Sequence, residues 1–158
     1  MNTKTRYLIV AGLLLLLAGI PTAHAAKVRT IQAAGQTFVA GGTGSPSFVP
    51  VITMLGVYWD GTTGTLDCLA LAPSHTAGTT GSGNFDSNIM YVTGTIHSVT
   101  FKGNTAIIEG NADCTGLGAG IGVPFTMTMQ SGGPGARAVL QVSGLTFTET
   151  LITGHFSF

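Results

Sequence analysis

After residue 26 no apolar run in this chain goes far without a glycine or a threonine, and that punctuation constrains the fold more than any other feature. FVPVITMLGVYW (48–59), TLDCLAL (65–71), IMYVTGTIHSVTF (89–101), TAIIEGNADC (105–114), VPFTMTM (123–129) and RAVLQVSGLTF (137–147) are short, rich in β-branched and aromatic residues, and bounded by turn formers. No long apolar repeat of helical period interrupts them, so the pattern predicts an all-β domain. About eight or nine strands at regular spacing predict two packed antiparallel sheets, a single β-sandwich.

Faces can be assigned along the best-marked hairpin. Gly103-Asn104 is a two-residue turn signal of the II′ kind, with glycine where φ must be positive. Beyond it Ala106, Ile108, Ala112 and Cys114 share one face, and Glu109, Asn111 and Asp113 the other. Before it Met90, Val92 and Ile96 share a parity that Val99 and Phe101 do not, which predicts a β-bulge at His97–Ser98. Gly56 is a candidate bulge in the 48–59 strand. In the last strand Phe156 and Phe158 are expected to pack on the core, and Glu149 is the one charge available to guard that edge against pairing with other chains.

The first 25 residues read as a signal peptide. Lys4 and Arg6 precede the apolar segment 8–20, Pro21 breaks it, and Ala23-His24-Ala25 fits a small-x-small cleavage site before Ala26. The expected product, residues 26–158, is one exported domain, secreted or periplasmic. It keeps Lys27, Arg29, Lys102 and Arg137 against six carboxylates, a balance that excludes the basic field needed to hold nucleic acid. Cys68 shares a face with Leu66 and Ala70, and Cys114 shares one with Ile108 and Ala112. Two inward cysteines in an oxidising compartment predict a Cys68–Cys114 disulfide tying the sandwich.

Catalytic and metal patterns are absent at the level of spacing. His75, His97 and His155 lack the i, i+2 or i, i+4 arrangement of a local zinc clamp, so no metal or cofactor is expected. Ser82 lies between glycines but outside a G-x-S-x-G elbow. GLGAGIG (116–122) lacks the spacing and the lysine of a phosphate loop. Asp60, Asp67, Asp86 and Asp113 border turns without a calcium-loop pattern, and Met127 and Met129 alternate with threonines as core residues do. The chain is thus expected to be a non-enzymatic surface-contact module, adhesive, matrix or envelope-associated, whose partners include extracellular components or itself. Two alternatives stand beside it. One is a small hydrolase using His75, Ser82 and Asp86 around the 73–88 loop; the other is a small outer-membrane β-barrel ending on Phe158.

TGTIHSVTFKGNTAIIEGNADC, GVPFTMTMQSGGPGA and LQVSGLTFTETLITGHFSF together resemble the C-terminal β-domain of secreted bacterial proteins called the post-COAP domain. Gly103-Asn104-Thr105-Ala106, Gly132-Gly133-Pro134-Gly135 and Thr150-Leu151-Ile152-Thr153-Gly154 carry the likeness. The resemblance implies secretion, an immunoglobulin-like sandwich and no catalytic residues to transfer. Arg137 and Ala138 stand where that family has an acidic D-x-F.

Overall fold

The computed structural model describes residues 28–45, 47, 49–73 and 85–158, with Asp86 through its backbone alone. Eight antiparallel strands follow one another: β1 (Ile31–Val39), β2 (Val51–Trp59), β3 (Gly64–Pro73), β4 (Phe85–Lys102), β5 (Thr105–Gly116), β6 (Gly120–Gln130), β7 (Arg137–Val142) and β8 (Leu145–Ser157). Each pairs with the next, and β8 returns to pair with β1 from Gln32↔Ser157 to Phe38↔Thr150. The expected sandwich, and the immunoglobulin-like form of it implied by the resemblance, are therefore corrected to one closed barrel. Closure satisfies every strand on both sides, which also removes the open edge on which self-pairing was expected.

Strict alternation places the core inside the barrel. Ile31, Ala33, Thr37 and Val39 point inward from β1; Val51, Thr53, Leu55, Val57 and Trp59 do so from β2; Leu66, Cys68, Ala70 and Ala72 from β3. A small barrel must fill its lumen with side chains, and large and small residues have to complement each other across it. Phe125 of β6 shows how. Its ring lies over Gly94 of β4 and Gly110 of β5, where an added Cβ would come within 2.9 and 2.7 Å of Phe125 Cε1. Met127 and Met129 are fully buried on the same face, as their alternation predicts.

The hairpin reading holds in detail. Gly103 has φ 61° and Asn104 does not share the positive region, the II′ arrangement. The β4–β5 register shifts between Ile96 and Ser98, at the expected bulge, and Ser98 Oγ there donates to Glu109 at 2.9 Å. Gly56 is not a bulge: pairing runs through it without a shift on both sides.

The seam between β1 and β8 depends on two glycines. Gly154 has φ 105°, and a Cβ there would sit 2.2 Å from the Ala34 carbonyl oxygen; one on Gly35 would meet the Thr153 oxygen at the same distance. The register slips between Gln36 and Thr37 at this point, and the inward parity of β8 passes from Leu151 to Phe156, which is fully buried. Below it, Phe158 packs on Phe101 (centroids 5.8 Å apart), and the Arg29 guanidinium stacks over the Phe101 ring at 4.0 Å. Arg29, just before β1, and Phe158, just after β8, thus meet at the same end of the barrel.

The expected disulfide is likewise corrected. Cys68 and Cys114 are both buried, as their parity predicts, but both are free thiols. Cys68 is registered with Val92 and Val92 with Cys114, so a whole strand separates them. Two strand spacings amount to roughly 9–10 Å between Cα atoms, beyond the ~7 Å that a disulfide tolerates. Thiol titration of the denatured protein, prepared without reductant, should find both cysteines reactive, and reductant should leave its Tm unchanged; a mass two hydrogens short would contradict the barrel's spacing.

Candidate functional site on the barrel wall

Outward residues of β8, β1, β2 and β3 line up across the wall in three rows. The middle row runs His155–Ala34–Gly56–Asp67, small residues between two polar ends. On one side Gln32, Tyr58 and Thr65 stand in register, and on the other Gln36, Met54 and Leu69. Low residues between two taller rows make a bowl of about 510 Å³, floored by Ala34 and Gly56 and walled by Tyr58, Gln32, Thr65, Asp67 and His155. A second depression continues it over Gly35, Gln36, Met54 and Thr153, sharing Gly56.

Tyr58 is half exposed. Tyr91 of β4 donates its hydroxyl to Asp67 Oδ1 at 3.1 Å, which fixes the carboxylate at the bowl's end and holds the Tyr91 phenol above its ordinary value. His155 and Asp67 lie three strand spacings apart, roughly 14 Å, too far to share a proton. The bowl offers an aromatic face, one carboxylate, two amides nearby, a hydroxyl and an imidazole. It holds no nucleophile beside a base.

The other singled-out residues have structural roles. Asp60 accepts from the backbone of Thr62 and Thr63 at 2.7 and 2.8 Å, bonds that build the β2–β3 turn and depress its carboxyl to about 2. Asp113 accepts from the Gly122 amide at 2.8 Å and Asn111 donates to the Gly122 carbonyl at 2.9 Å, pinning the β5–β6 hairpin. His97 is exposed at its bulge. His75 and Ser82 lie outside the described residues. Among the described residues no cluster of three His, Cys, Asp or Glu could hold a metal ion.

Comparison with protein-family models, with curated proteins and with solved structures finds no match to this chain. Its chemistry has to be read from its own residues.

One such residue is inside. Glu149 is fully buried, with Thr37 Oγ1 at 2.5 Å and Thr53 Oγ1 at 2.7 Å from its Oε2, and the two threonines are hydrogen-bonded to each other. Glu149 was expected to guard an outer edge. The parity of Phe147, Glu149 and Leu151 in TFTETL marks it as inward; its charge argued the other way.

Proposed function

We propose that this chain is an exported barrel that binds an uncharged, hydroxyl-rich ligand, a glycan segment of matrix or envelope, in the bowl around Gly56. Gly56 carries the reading. A glycine inside a strand costs roughly 0.5–1 kcal/mol relative to alanine, and nothing in the fold requires it here: an added Cβ would meet only the Asp67 Cβ, at 4.0 Å. Without a bulge, a strand glycine marks a tight bend of a barrel wall or a close approach from outside, and the place of Gly56 on the bowl floor favours the second. Tyr58 supplies a stacking face for sugar C–H groups, and Asp67, Gln32 and Thr65 supply hydrogen-bonding partners for hydroxyls. The ligand class rests on a bowl whose one acidic group is Asp67 and whose lining includes no lysine or arginine. No step of bond cleavage enters this function.

A second reading, the small outer-membrane barrel, has the closed eight-stranded meander in its favour, together with outward Phe38, Ile52, Met54 and Leu69. Membrane barrels place an apolar band outside and polar residues in the lumen. Here the lumen is mostly apolar, with Thr37, Thr53 and Glu149 as its buried polar exceptions, and β5 turns Glu109, Asn111 and Asp113 outward in succession, which favours water as the surroundings.

Retention of the mature protein on a panel of insoluble polysaccharides and cell-wall preparations, without detergent, tests both. Wild type should bind at least one neutral polymer, and Tyr58→Ala and Gly56→Leu should each weaken binding about tenfold or more, equivalent to ~1.4 kcal/mol, at unchanged Tm. Retention indifferent to Gly56→Leu sinks the bowl as the site. Extraction only with detergent, with a band that shifts on boiling, favours the membrane reading.

A further inference from the structure

The Glu149 cluster joins three strands at the place where the barrel closes: Glu149 on β8, Thr37 on β1 and Thr53 on β2. Three oxygens, Thr37 Oγ1, Thr53 Oγ1 and Glu149 Oε2, are mutually in hydrogen-bond contact, so the triangle has three sides and each side needs one hydrogen. The two threonine hydroxyls supply two. With both hydroxyls donating to Oε2, the side between Thr37 and Thr53 has no hydrogen. A carboxylic acid proton on Oε2, donated to one threonine in place of that threonine's own bond to Oε2, supplies it, and each oxygen then donates once and accepts once. Without it, two lone-pair oxygens face each other across one side. The remaining carboxyl oxygen, Oε1, is buried and has no hydrogen-bond partner among the described residues, a tolerable state for a neutral carbonyl and a costly one for a carboxylate.

We propose that Glu149, Thr37 and Thr53 form a proton-bearing clamp that holds the closing strand β8 onto β1 and β2, and that loss of this one proton as pH rises loosens the seam. The groups around it agree. Among the described residues no cation pairs with Glu149; Thr37 and Thr53 face it from β1 and β2, and from β7 its register partner is Ala138. The titratable group acting on it from β3 is the Cys68 thiol, which burial and then the Glu149 charge push up. Burial raises the Glu149 carboxyl above its ordinary 4.5, with the two threonine hydrogen bonds opposing.

The sign follows from linkage. The folded chain holds a proton that the unfolded chain releases above about 4.5, so this contribution to stability is complete below that pH and falls as pH rises through the folded-state value. Within that window the unfolding constant grows about tenfold per pH unit. Asp60 acts in a separate, more acidic range, and the raised thiols of Cys68 and Cys114 act above their ordinary 9.0. The interval from about pH 5 to 8 is therefore the one to measure.

The chain has two glutamates, Glu109 exposed and Glu149 buried, so carboxyl-carbon NMR of glutamate-labelled protein can follow Glu149 by itself, folded and urea-unfolded. Glu149 should hold its proton to higher pH in the folded protein than in the unfolded one. Urea unfolding of wild type from pH 5 to 8 should show the rising unfolding constant, and E149Q should lack that component; amide exchange in β1 and β8 should accelerate with pH beyond its intrinsic dependence in wild type only. Glu149 titrating alike in the folded and the urea-unfolded protein overturns the clamp, as do parallel pH profiles for wild type and E149Q. If E149Q does not fold, the wild-type NMR titration decides alone.

Discussion

Gly154→Val should open the barrel. The substitution forces a β-branched residue to φ 105° and drives its Cβ to 2.2 Å from the Ala34 carbonyl oxygen and 2.6 Å from the Gly35 Cα, with backbone on both counts and no flexible side chain to yield. Backbone strain of about 1–3 kcal/mol adds to overpacking of a similar ~1–3 kcal/mol, a large fraction of a total stability of roughly 5–15 kcal/mol. Gly122→Ala is the control. Gly122 also has positive φ (63°), but an added Cβ would meet nothing within 4 Å, so it should lose only about 1–2 kcal/mol. Urea unfolding of the three proteins distinguishes clash from strain; equal losses in both variants would mean that the seam is not closed as described.

The second large effect belongs to Phe125. Truncation to alanine should cost about 3–5 kcal/mol, because the ring fills lumen that Gly94 and Gly110 leave empty and neither glycine can move in to replace it. The complement is a coupling. Gly94→Ala brings a methyl to 2.9 Å from Phe125 Cε1 and should destabilise the wild type, yet be tolerated better beside Phe125→Leu. A double-mutant cycle by chemical denaturation measures this directly. Additive losses would show that the ring does not rest on Gly94.

These sites also mark where the sequence speaks and where it stops. Parity along each strand is local, so it placed Cys68, Ala106, Ile108, Cys114, Met127 and Phe156 inside, and put the bulge beside His97. Turn chemistry is local too, and Gly103-Asn104 revealed its hairpin. Neither signal says which strand lies next to which. Two inward cysteines on β3 and β5 look alike whether they face each other across a sandwich or stand two strands apart on one wall, and only the second is true here. Sandwich and barrel share alternation and turns; they differ in whether Gln32 finds Ser157. Glu149 was legible by parity, but a carboxylate in the lumen becomes reasonable only when Thr37 and Thr53 are known to meet it. The bowl, likewise, exists only through the register that brings Ala34 beside Gly56.

The pairing of β1 with β8 carries a consequence for how the molecule comes into being. A sheet whose first and last strands are neighbours cannot be completed by any partial chain, because every hydrogen bond of the seam waits for the final residues to arrive. Long-range closure of this kind is the slow, late step of folding, made after the local hairpins have formed. An N-terminal portion, however long, therefore carries two unsatisfied borders and little reason to lock. A chain of this design stays pliable while it is being made and becomes rigid only once its last phenylalanines are in place.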